Sequence, residues 1–199
     1  MSQLVLSSSL KEFFRMLVGE VVNRQKVSLA EVTEFYVVNL LSEFAAAEKL
    51  FSEELGGKKD HEPLAVLYHK ALQQDRDERV RTLRRLGDVS LYTAGFFSES
   101  LKDRVVGPDY YIQMGGQAYA QIAQLSQASS YSAVYWELHT KFRALVEVLE
   151  EIAARGMCNQ GPQGQVKVFE AYSRTGSERL EKVLVDAGLP LNAKGTLAN

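Results

Sequence analysis

Of the 199 residues a single one is cysteine, Cys158, which excludes an internal disulfide framework and a cysteine-rich zinc site. Proline is scarce at four residues, so little in the chain interrupts long helices. Basic and acidic side chains number 23 and 25, for a net charge of −2, and this balance gives no electrostatic footprint for nucleic acid. No stretch of about 18 apolar residues is free of charge, so no membrane span is expected. The opening residues, MSQLVLSSS, have neither the basic start nor the apolar run of an export signal. Serine at position 2 excludes N-myristoylation. With one thiol, these features point to the cytoplasm.

Catalytic patterns are missing as well. There is no phosphate-binding glycine loop, no G-x-S-x-G elbow and no dinucleotide fingerprint. Glu-x-x-His, which a di-iron bundle needs on two helices, does not occur. Cys158 has no positioned base beside it. Of the three histidines, His61 sits in a charged Asp-His-Glu stretch that reads as solvated, and His69 and His139 fall in helical patterns. No metal and no cofactor is expected, and a non-enzymatic protein is favoured over an enzyme, with both left open.

What is present is helical periodicity. Leu10, Phe13, Phe14, Leu17, Val18, Val21 and Val22 repeat as one apolar face. Ser9 with Glu12, Ser28 with Glu31 and Thr175 with Glu178 read as capping boxes. The helix after Ser28 is apolar over more than half its circumference through Phe44, which predicts a central position. Residues 53–62, with two glycines and six charges, read as an exposed loop. Pro63 suits the first turn of the next helix. Gly87 and Asp88 read as a stop followed by a cap, with an unbroken helix as the alternative. In the charged run 75–85, Asp75–Arg79 and Asp77–Arg81 read as i,i+4 pairs on a solvated face, with a phosphate- or acid-binding patch as the alternative. Asp109 reads as a cap, Tyr131–Arg155 as one helix ended by Gly156, and 166–172 as either helix or strand. These elements predict an all-α fold, a single-domain helical bundle of about six to eight helices over 1–188 with a flexible tail at 189–199.

Charge is distributed unevenly. From Tyr110 to Trp136, 27 residues contain no Asp, Glu, Lys or Arg, in a chain that is 24% charged. On a helix, Tyr111, Gly115, Ala118, Ile122 and Leu125 form one stripe, and Gln113, Gln117, Gln121 and Gln124 an adjacent one. The glycines and alanines here allow another helix backbone to approach. Tyr131, Tyr135 and His139 follow at four-residue spacing, next to Trp136. Two readings stay open for this segment: a central hairpin with its glutamines bonded internally, or a charge-poor aromatic interface.

The leading functional expectation is a protein that works through protein contacts, as adaptor, regulator or structural element, with self-association expected. Its candidate surface includes Gln113, Gln117, Gln121, Tyr131, Tyr135 and Trp136. The alternative is a small-molecule-binding or catalytic bundle with an internal pocket lined by Tyr119, Tyr131, Tyr135 and His139.

Overall fold

A computed structural model describes residues 2–54, 63–101, 104–127, 131–189 and 191. The structure is 84% helical, and among the described residues there are no strands and ten helices in one compact arrangement. These are α1 Ser2–Arg24, α2 Glu31–Glu54, α3 Leu64–Gln73, α4 Arg76–Phe96, α5 Ser98–Leu101, α6 Pro108–Leu125, α7 Tyr131–Thr140, α8 Phe142–Asn159, α9 Pro162–Thr175 and α10 Glu178–Asp186. The all-α expectation is met, with more helices than the six to eight anticipated. Among the described residues no helix is long and apolar enough to cross a membrane.

The extra helices come from breaks that apolar spacing does not register. Residues 64–96 divide at Gln74 and Asp75. Asp75 caps α4 by accepting the Glu78 N–H at 3.0 Å. Arg79 turns back and donates to the Ala71, Leu72 and Gln74 carbonyls at the end of α3. The Asp75–Arg79 pair is therefore replaced by two caps, and no ion pair joins Asp77 to Arg81 among the described residues. The anticipated helix 131–155 divides at Lys141. There the Thr140 hydroxyl donates to the Trp136 and Glu137 carbonyls, a side-chain competition that bends helices. Gly156 does not end α8, which runs on to Asn159. Residues 166–172 are helical, within α9.

The capping boxes are also redistributed. Ser9 lies inside α1, and Thr175 is the last residue of α9, followed by Gly176 in the left-handed conformation. Gly107, not Asp109, is the cap of α6, with Pro108 in its first turn. α2 begins at Glu31, so Ser28 is not its cap. Its free N–H at Ala30 is taken instead by the Glu137 carboxylate of α7, at 3.1 and 3.2 Å. Lys141 holds that carboxylate at 2.7 Å and also donates to the Ser28 carbonyl. Burial alone raises the Glu137 pKa. Hydrogen bonds from Lys141 and the Ala30 N–H outweigh it and hold the carboxyl below the ordinary range. The contribution is thus present above the ordinary carboxylate pKa and lost as pH falls through the depressed one. In urea titrations, Glu137→Gln is expected to be less stable than the parent at neutral pH, with the gap closing in acid. A gap that does not change with pH would contradict this role.

The core centres on α4, α6 and α8, which pack on one another. Small residues set their distance. A Cβ on Gly115 would lie 2.4 Å from Phe142 and 2.6 Å from Ser90. α2 is at the edge instead of the centre: it packs on α1, α7 and α4, and leaves Val32 and Phe35 exposed. On α1, Phe13 of the apolar series is also half exposed. Buried Glu151 on α8 receives Gln25 at 2.8 Å and ion pairs from Arg24 and Arg155, tying the end of α1 to the core. The pair α9 and α10 packs against α8 around a small second cluster containing Cys158, Val168 and Leu184.

Candidate functional site

The charge-free segment becomes α6 and most of α7, and its residues take separate roles. Gln113, Gln117 and Gln124 face water. Gln121 is half-buried and donates to the Tyr68 hydroxyl. Tyr119 is fully buried and Tyr135 nearly so, whereas Tyr131 is 67% and Trp136 52% exposed. His139 does not share a site with Tyr131 and Tyr135. Its Nδ1 lies 2.8 Å from the Gly116 carbonyl on α6, with its ring against Trp136. Eight residues of helix rotate a side chain by about 80°, enough to turn position 139 from α2 towards α6. The segment thus supplies both core and surface. His61 and the turn at Ser129 and Ser130 fall outside the described residues.

A buried acid is the centre around which the tyrosines gather. α4 runs unbroken through Gly87, which places Asp88 mid-helix instead of at a cap. Asp88 Oδ1 accepts from the Tyr36 hydroxyl of α2 at 2.6 Å and from the Tyr119 hydroxyl of α6 at 2.7 Å. Gly87 makes this possible: a Cβ there would sit 2.5 Å from the Tyr119 ring, so the ring lies directly on the α4 backbone. The rings of Tyr36, Tyr119 and Tyr135 touch one another at centroid distances of 5.8 to 6.3 Å. Arg84 lies over the Tyr36 ring at 5.5 Å. Its Nε is 3.6 Å from Asp88 Oδ2, an ion pair too long for a good hydrogen bond.

Burial pushes the Asp88 carboxyl up from its ordinary value, against the two tyrosine hydrogen bonds and Arg84, which lower it; nearby Glu43 adds to the rise. Burial first, and then the charge of Asp88, hold the Tyr36 and Tyr119 hydroxyls well above the usual phenol value, so both remain donors. Tyr135 is raised too, chiefly by burial.

This network is the floor of a cleft of about 270 Å³ between α2, α4 and α7. Val32, Phe35 and Tyr131 stand at its edge, exposed, and Glu43 and Arg84 supply its charges. Tyr131 and Tyr135 of the anticipated pocket do line it; Tyr119 is sealed beneath and His139 is elsewhere. Sequence reading passed over Tyr36, Glu43, Arg84 and Asp88. The available signal was an aspartate four residues after an arginine, inside an apolar stripe, where a charge needs partners.

A larger hollow of about 760 Å³ separates α9 and α10 from the ends of α4 and α6. Ion pairs line it: Arg174 with Glu99, Arg143 with Asp109 and Arg179 with Glu147. Among the described residues no group of acidic, histidine or cysteine side chains is arranged to hold a metal ion. The arginines expected on one solvated face are partly consumed in structure: Arg76 donates to the Leu125 carbonyl, Arg79 caps α3, and Arg84 joins Asp88.

Fold and site together define an all-helical bundle built around an acid–tyrosine centre at the foot of an apolar-rimmed cleft. No protein family matches the chain, and neither a curated protein nor a solved structure is similar to it.

Proposed function

We propose that the protein is a non-catalytic interaction module of the cytoplasm, and that it docks a protein partner on the face formed by α2, α4 and α7. The observation that carries this reading is the exposure of Val32, Phe35 and Tyr131, at 59%, 63% and 67%, around one cleft with a rigid floor. Aromatic anchors beside a preformed pocket, with charges at the rim, are the usual make-up of an interface centre. The floor is suited to recognition and not to chemistry. Its acid already accepts two hydrogen bonds, and its tyrosines are held protonated. The cleft also lies below the range of about 300–1,000 Å³ typical for drug-sized ligands, which favours a protruding side chain over a free metabolite.

The test is a photo-crosslinking amino acid at position 131 in the full chain, expressed in cells, with position 104 as exposed control. A discrete protein adduct specific to position 131 is expected. Equal labelling from both positions, or none from 131, would sink the reading. Phe35→Ser with Tyr131→Ser is expected to lower formation of that adduct at least about ten-fold, with stability held within about 0.5 kcal/mol per site because both side chains are exposed.

A further inference from the structure

We infer that the partner on this face is a second copy of the chain, seated about a two-fold axis so that Arg81 of each copy enters the cleft of the other beside Glu43. The inference rests on the docking reading above and adds the identity of the occupant. Its basis is that the face carries both halves of a charge match.

Glu43 stands in the cleft wall, exposed, with no ion pair among the described residues. Arg84 does not serve it, since its guanidinium is engaged by the Tyr36 ring and by Asp88. The one guanidinium of the cleft is thus turned to the buried acid, and Glu43 is left without a cation of its own. The proximity is already felt within the molecule, where Glu43 is among the charges that disfavour ionised Asp88. A second cation is what the cleft lacks. Its walls suit one, because they are aromatic at Phe35, Tyr36 and Tyr131, and Tyr36 already carries the Arg84 guanidinium over its ring.

The same helix supplies that cation. Arg81, Arg84 and Asp88 follow at i, i+3 and i+7, so Arg81 lies on the cleft side of α4, one turn before Arg84. Arg81 is exposed, and with Asp77 not bonded to it, it has no ion pair among the described residues. An unpaired acid and an unpaired base on one patch, about a shared apolar rim, are self-complementary under two-fold symmetry, in which residue i meets j and j meets i. Measured from the mean direction of Arg84 and Asp88, Arg81 is turned by about 40° and Arg85 by about 80°, which makes Arg85 the poorer candidate.

Sedimentation equilibrium of the purified full chain tests the assignment with a charge swap. The parent is expected to dimerise, more weakly at high salt. Glu43→Arg and Arg81→Glu are each expected to weaken self-association at least about ten-fold, because each homodimer then opposes like charges at both contacts. Mixed in equal amounts, the two variants are expected to form a heterodimer, since one contact keeps the parent pair and the other carries it reversed. Circular dichroism and the urea midpoint check that each variant folds; both positions are exposed. A parent that stays monomeric, single variants that associate like the parent, or a mixture no tighter than its parts would each overturn the inference. If the position-131 crosslink joins the chain to a protein of another mass while the parent is monomeric, the docking reading stands and the second copy is excluded.

Discussion

Replacing Gly95 by alanine is expected to destabilise the protein by about 2 kcal/mol, whereas the same change at Gly156 is expected to stabilise it by about 0.5–1 kcal/mol. Both glycines lie inside helices, and in both the methyl group improves helix propensity by about 1 kcal/mol. Their surroundings decide the sign. A Cβ at Gly95 would stand 2.3 Å from the Leu149 Cβ, where α4 crosses α8. The obstructing atom is bound directly to the backbone, and Leu149 is fully buried, so no rotamer change relieves the overlap. The two central helices must separate. At Gly156 nothing lies within 4 Å. Urea unfolding of the two variants beside the parent checks the pair. A stabilising Gly95→Ala would show that α4 and α8 are not held at this distance.

Asp88→Ala is expected to cost about 2–4 kcal/mol, and more than either Asp88→Asn or Tyr119→Phe. Alanine leaves two tyrosine hydroxyls without their acceptor, one of them on a fully buried side chain, and an unsatisfied buried group costs about 1–3 kcal/mol. Asparagine keeps a carbonyl for the hydroxyls. Tyr119→Phe removes one donor and leaves Asp88 the other. The pH dependence separates the charge from the hydrogen bonds. Because the folded-state pKa of Asp88 is raised, its favourable contribution is full below the ordinary carboxylate pKa and is lost as pH rises through the raised one. The stability of the parent relative to Asp88→Asn is therefore expected to improve on acidification from neutral pH. Glu137 works in the opposite direction, so Asp88→Asn and Glu137→Gln are expected to give difference curves of opposite slope. Parallel curves would mean that the two carboxyls do not occupy the environments described.

Helical class was legible because every packed helix must hide an apolar stripe, and that stripe is a local pattern. Phe14, Val18, Val21 and Val22 of the first series are buried as their spacing requires. Helix ends were much less legible. The cap of α2 comes from Glu137, 107 residues away in the chain, and no window around Ser28 contains that information. The continuation of α4 through Gly87 is of the same kind. The glycine is retained for the Tyr119 ring lying on it, not to stop the helix.

The candidate site was half visible. A charge-free tract marked α6 and α7, and Tyr131 and Tyr135 do line a cleft. Their partners Tyr36, Glu43, Arg84 and Asp88 lie on α2 and α4, and spacing along one helix carries nothing about which helix lies opposite.

By itself, then, the sequence determined that this chain is helical, which faces are apolar and where charge is absent, since these follow from period and composition. Tertiary structure alone decided that a mid-helix aspartate meets two tyrosines from separate helices, that a distant glutamate caps α2, and that Glu43 lines the same cleft as Arg84 and Tyr131. Each of those is a contact between segments far apart in the chain, and hydrogen bonds and charges act over a few ångströms of space, not over residues of sequence.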